Sequence, residues 1–288
     1  MLDLPGDRQA FIGIGGGSDC IQASVLALMG GKTACAISIR TAKTASQGAS
    51  GKMGEERSVQ NHGGEVAPGV FRITPQTTGS GRFVEFIPAD RLPVYLIIDR
   101  GDGSLTAQIE AALTDFGGVD TVVAVDTGGD SLYRTTVTDA TKATPDQDIA
   151  SLKAVNALRG PRLLSCIVAK GVDSPPYADQ LLAQAGAHEI RFSAAEAQEI
   201  LALYRAMEFD GSNPDRYGKT AFAWQAALRG ERGRVRLPLP DKVVNDPRNP
   251  WNPYVDITAE MAGCHVMPVE AHLRAIMAPP ILPPRFNF

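Results

Sequence analysis

Short apolar runs rich in β-branched residues recur along the chain, and between them lie segments whose apolar positions repeat every three or four residues. Such patterns predict buried strands and amphipathic helices. Strands are expected at 10–14, 33–39, 70–74, 82–87, 93–99, 121–125, 163–169 and 189–192. Helices are expected at 19–29, 105–116, 146–158, 176–185 and 194–207. The helix at 105–116 is well marked, with Leu105, Ile109, Ala112, Leu113 and Phe116 on one stripe. Because strand and helix alternate, the expected fold class is α/β: a doubly wound, mostly parallel, Rossmann-like sheet with a C-terminal appendage.

Beyond Asp210 the texture changes. One helix is expected at 220–228, a proline-rich stretch follows from Leu237 to Pro253, and 255–257 and 265–267 read as a pair of strands before a last helix at 269–277. The expected organisation is a Rossmann-like domain over 1–209 and a helical and extended appendage over 210–288. The appendage would pack on the same domain or on a second subunit of a homo-oligomer. Residues 40–68 form a long polar stretch containing Lys43, Lys52, Arg57 and His62. It leaves the carboxyl end of the second strand, the ligand side of such sheets, so it reads either as a substrate-contacting lid or as a mobile insertion.

Two of the turns between these elements carry chemistry. The first strand breaks into Gly13-Ile14-Gly15-Gly16-Gly17-Ser18-Asp19, and the strand at 121–125 runs into Asp126-Thr127-Gly128-Gly129-Asp130-Ser131. A plain turn needs one glycine for a positive φ and gains nothing from flanking aspartates, so both turns read as binding elements. In a parallel sheet of order 3-2-1-4-5, the strands preceding the two turns are neighbours whose connections diverge to opposite faces. Ligands bind in the crevice at that point. The expected substrate contacts are Gly15, Gly16, Gly17, Ser18, Thr127, Gly128, Gly129 and Ser131, and the expected catalytic groups are Asp19, Asp126 and Asp130.

Three carboxylates near glycine amides suit Mg2+ bridging to a phosphate, with Asp19, Asp126 and Asp130 as the ligands, or hydrogen bonds to a metabolite's hydroxyls or ammonium. They also raise one another's pKa, which favours acid or base work near neutral pH. The plainer alternative is that Asp126 and Asp130 cap their own turn. The dinucleotide fingerprint is incomplete: Ser18 replaces its third glycine, and no acidic residue ends the second strand. Arg40 there leaves an NADP reading open.

In Thr144-Pro145-Asp146-Gln147-Asp148 one aspartate reads as a helix N-cap, the alternative being that Asp146 or Asp148 reaches the same cleft. Glu85 and Arg100 are weaker candidates. His62 reads as a loop residue on the ligand side, and His188, His265 and His272 show no ligand or triad spacing.

Composition narrows the partners. The chain has 288 residues, 44% apolar and 21% charged, enough for a globular core. A net charge of −4 gives no electrostatic case for nucleic acid. The N-terminus lacks the features of a signal peptide, and no apolar run approaches the roughly 18 residues of a membrane span, so a cytoplasmic protein with no membrane contact is expected. Cys20, Cys35, Cys166 and Cys264 are isolated and read as reduced, buried thiols. Cys20 lies in the first turn of a helix, where a thiol pKa can be lowered.

The two glycine turns, with the intervening strand Tyr95-Leu96-Ile97, resemble the uncharacterised domain-of-unknown-function family numbered 1152. Members carry a Gly-Gly-Gly-Gly-Asp-like turn near the N-terminus and an Asp-Thr-Gly-Gly-Asp-like turn mid-chain. The likeness extends to about Leu203, with Ser18 standing where the family has a glycine. It implies a Rossmann-like fold and a shared cleft, and supplies no reaction.

The sequence thus points to an enzyme acting on a small phosphorylated, nucleotide-linked or amino-acid-like molecule, as a lyase, hydrolase or group transferase. A non-catalytic metabolite-binding regulator and an NADP-dependent reductase are the alternatives.

Overall fold

The computed structural model describes residues 4–15, 18–41, 59–78, 83–134, 145–247 and 251–279. Its strands are β1 (Arg8–Gly13), β2 (Thr33–Thr41), β3 (Glu65–Ala67), β4 (Val70–Arg72), β5 (Val94–Asp99), β6 (Thr121–Thr127), β7 (Arg162–Val168), β8 (His188–Arg191), β9 (Gly233–Arg236), β10 (Tyr254–Ile257) and β11 (Gly263–Pro268). Its helices are α1 (Asp19–Met29), α2 (Leu105–Asp115), α3 (Pro145–Ala157), α4 (Ala178–Gln184), α5 (Ala194–Ala206), α6 (Lys219–Leu228), the single turn α7 (Asp241–Val244) and α8 (Val269–Met277).

Nine of the strands form one sheet in the order β3-β4-β5-β2-β1-β6-β7-β11-β8. The five central strands, β5 to β7 in that order, run parallel, and β4 and β11 pair antiparallel with the strands on either side. The expected 3-2-1-4-5 arrangement is therefore present at the centre, where β1 lies between β2 and β6 and Gly13 is in register with both Ser38 and Val125.

Alternation along the strands divides the core into two layers. Phe11 of β1 and Val123 and Val125 of β6 join the layer built with α1, α5 and α6, whereas Ala10, Ile12, Val122 and Ala124 face α2, α3, α4 and α8. The first layer is anchored by fully buried aromatic residues. Tyr204 meets Trp224 edge-on with ring centroids 6.0 Å apart, and Phe209 packs on Phe222 at 6.1 Å. The chain leaves β1 into the α1 layer and β6 into the α3 layer, so the connections part between these two strands.

Three expectations need correction. The apolar residues at 83–87 form a 3-10 turn, Val84–Phe86, and not a strand. Phe83 and Phe86 instead pack on Phe209, so their hydrophobicity serves face packing and not a ladder. The segments expected to pair near residues 255 and 265 take different partners: β10 pairs with β9, and β11 enters the main sheet between β7 and β8. Finally, the polar stretch ends in structure, because β3 forms an antiparallel pair with β4. Residues 42–58 of that stretch lie outside the described residues, and the lid reading with them. No helix among the described residues is long and apolar enough to cross a membrane.

Candidate functional site

The two glycine-aspartate turns leave adjacent strands at the same rim of the sheet. Ile14 N–H donates to the Val125 carbonyl at 3.1 Å, which ties the exit of β1 to that of β6. Immediately afterwards α1 comes close to the strand it follows: a Cβ on Gly13 would lie 2.6 Å from the Cys20 nitrogen, so only glycine permits this packing. Asp19, the first residue of α1, is thereby held over the end of β6.

Asp126 ends inside its own turn. Its carboxylate accepts from the Gly129 amide at 3.3 Å, the Ser131 amide at 3.2 Å and the Ser131 hydroxyl. These bonds fix the turn, in which Gly128 and Gly129 hold φ of 101° and 89°. The capping alternative therefore holds for Asp126, although the same carboxylate also faces the cleft. A single 3-10 turn, Asp130–Leu132, follows and places Asp130 at the rim of the cluster. From α8, His272 Nε2–H reaches the Ser131 carbonyl at 3.2 Å and His272 Nδ1 meets Ser165 Oγ at 2.9 Å, bracing this turn from below.

Asp148 supplies a further carboxylate. It lies in the first turn of α3 and is fully buried, and its two oxygens meet no donor other than the neighbouring carboxyl groups. Neither Asp146 nor Asp148 is the helix cap, since α3 already begins at Pro145, a favoured first helical residue. One oxygen each from Asp126, Asp130 and Asp148 lies within 4.8 Å of the others. Asp19 adjoins them, its Oδ2 accepting from the Gly15 amide at 2.9 Å.

A fifth aspartate, absent from the sequence expectations, closes the far side. Asp173 lies on the loop after β7, which wraps the second turn: the Asp173 amide and the Ser174 hydroxyl both donate to the Gly128 carbonyl, at 3.2 and 2.6 Å. Its position at the carboxyl end of a parallel strand was the available signal. Lys219 at the start of α6 pairs with Asp173 at 2.9 Å. Among the described residues, no Lys or Arg forms an ion pair with Asp19, Asp126, Asp130 or Asp148.

Crowding with no counter-cation among the described residues raises the proton affinity of the group. Burial, followed by the charge of Asp130, pushes Asp19, Asp126 and Asp148 well above the usual carboxylate range. Asp130 is raised as well, by burial and by the Asp173 charge. The hydrogen bond from the Gly15 amide partly offsets the effect at Asp19. Carboxylates this close cannot all ionise unless something positive joins them.

Gly16 and Gly17 lie outside the described residues. Ser18 is buried without capping α1 through its side chain, and Thr127 is buried at the end of β6. The remaining turn amides are committed within the protein: Gly15 N–H to Asp19, Gly128 N–H to the Val168 carbonyl, and Gly129 and Ser131 N–H to Asp126.

Cys20 is not activated, since burial pushes its thiol up to about 12. Arg40 stands at the carboxyl end of β2, in register with Ile98. Glu85 and Arg100 are exposed, and His62 packs edge-on against Phe71 with ring centroids 5.0 Å apart.

No family model matches the chain, no curated protein matches it, and no solved structure matches it. The functional reading rests on the switch point of the sheet and on the aspartates gathered there.

Proposed function

We propose that this cleft is the active site of an enzyme acting on a small polar metabolite, with the aspartates orienting the substrate and moving a proton. The observation that carries the reading is the convergence of Asp19 from the β1–α1 connection and of Asp126, Asp130 and Asp148 from the two ends of the β6–α3 connection onto one crevice, unpaired with any described cation. Burying several carboxylates together costs stability, and such an arrangement is typical of a site kept for function. Asp130, at the rim and with its pKa raised, is the group placed to exchange a proton with substrate.

A lyase, hydrolase or group transferase fits this equipment. Carboxylates recognise hydroxyl and ammonium groups directly, which favours sugar-like, nucleotide-linked or amino-acid-like substrates. The resemblance to family 1152 is compatible with the same cleft and adds no chemistry.

The test is a panel of amino acids, sugars, sugar phosphates and nucleotides, screened by thermal unfolding with and without chelator and then assayed for turnover. A stabilising metabolite should be converted by the native enzyme. In Asp130→Asn, with folding verified, turnover should fall by about 10²-fold or more. Conversion that survives in Asp130→Asn would overturn the assignment.

A further inference from the structure

We propose that Asp126, Asp130 and Asp148 together hold one hard divalent cation of the Mg2+ or Mn2+ class, which in turn receives an anionic group of the substrate. This rests on the cleft being the functional site and adds the ion through which an anion would be accepted there.

Three observations combine. One oxygen from each of the three side chains lies within 4.8 Å of the others, no wider than the span of a ligand shell with metal–oxygen distances of about 2.0–2.6 Å. Asp148 is completely buried, and among the described residues its two oxygens meet no hydrogen-bond donor other than the neighbouring carboxyl groups, so its lone pairs are left without a positive partner. Moreover, the Gly15, Gly128, Gly129 and Ser131 amides are used within the protein and are not free to receive an anion.

Lone-pair accounting gives each ligand its denticity. Asp126 Oδ2 takes two donors from Ser131, and Oδ1 takes one from Gly129, leaving Asp126 a single outward lone pair on Oδ1. It can therefore bind at one point only. Asp148 has all its lone pairs to give. Asp130, at the rim, is the ligand nearest the solvent side, where water or substrate would complete the shell.

The donor set selects the ion. All three ligands are carboxylate oxygens, with no His or Cys in the cluster, which disfavours zinc and copper. Three protein ligands leave roughly half of an octahedral shell open, the usual arrangement for Mg2+ bound together with a phosphate or carboxylate, whereas Ca2+ takes about six to eight oxygens. The cation gives the cleft a positive pole toward which the anionic part of a substrate can turn.

The experiment uses the full-length chain, freed of metal, at pH 7.5. Mn2+ is titrated and the free aquo ion is followed by electron paramagnetic resonance, with Mg2+ as competitor. One Mn2+ per chain, displaced by Mg2+, is expected. Asp148→Asn and Asp130→Asn should each weaken binding about 10-fold or more, and Asp256→Asn on the exposed face of β10 should leave it unchanged. Circular dichroism verifies folding, and Asp130, at the rim, carries the test where Asp148→Asn does not fold. Absence of saturable Mn2+ binding, or binding of native strength in the folded variants, overturns the proposal. Metabolite stabilisation that persists in chelator would then leave the cleft standing without its ion, and loss of both would remove the cleft reading too.

Discussion

Gly15 stands between Asp148 and Asp19 so closely that a Cβ on it would lie 2.5 Å from Asp148 Oδ1 and 2.5 Å from Asp19 Oδ2. The glycine is thus the spacer that lets the head of α1 and the head of α3 bring their carboxylates together. Gly15→Ala should wedge the two apart, at a cost of about 1–3 kcal/mol from overpacking, and should abolish metabolite binding while the fold persists. Denaturant unfolding and a binding isotherm on the same preparation check this. Native affinity in the alanine variant would show that the two carboxylates do not act as a unit.

Asp148 should reveal a conflict between stability and function. Its buried carboxylate faces other carboxylates and no described cation, so in chelator at pH 8 Asp148→Asn should stabilise the protein by about 1–3 kcal/mol. The amide can donate to the acidic neighbours that the native side chain repels. A lower melting temperature for Asp148→Asn in chelator would contradict this reading.

Asp126 and Asp130 differ in what they hold. Removing the Asp126 carboxylate leaves the Gly129 and Ser131 amides and the Ser131 hydroxyl without their acceptor, so Asp126→Ala should cost at least about 2 kcal/mol. Asp130→Asn should leave stability within about 1 kcal/mol of native, or raise it. Chemical denaturation of the two variants side by side separates the turn-holding aspartate from the one at the rim.

His272 sets a pH dependence on the acid side. Burial lowers its pKa from the usual 6.5 to about 4, and its ring stays neutral between Ser165 and the Ser131 carbonyl. Between those two pH values the unfolded chain binds more protons than the folded one. The stabilisation is therefore complete above pH 6.5 and lost as pH falls through about 4, a change of roughly 3 kcal/mol. His272→Gln, which does not titrate, should show a flatter dependence of unfolding free energy on pH across that window. Parallel curves for the two proteins would contradict the assignment.

The parallel centre of the fold was legible because β1, β2, β5, β6 and β7 are short apolar runs bounded by glycine or polar turns, and local pattern suffices for such strands. The order of β1 and β6 followed from topology, and with it the meeting of their turns. The partners of β11 were not legible: β7 lies far back in the chain, and nothing local distinguishes pairing with it from a hairpin with β10. β9, Gly-Arg-Val-Arg, is too polar to announce itself as a strand. At the site, Asp148 was legible only as an alternative to a helix cap, because its Pro-Asp-Gln-Asp pattern equally suits an ordinary helix start. Asp173 went unseen because its place depends on how the loop after β7 folds back onto Gly128.

The most direct measurement is a crystal structure of the full-length protein with a metabolite that stabilises it and with Mn2+ present. Density between Gly15 and Asp19 on one side and Asp126–Ser131 on the other, touching Asp130, is the expected result. Density that instead occupies the groove between α5 and α6, lined by Gln198, Leu201 and Arg205, with the aspartate cleft closed by protein alone, would contradict it.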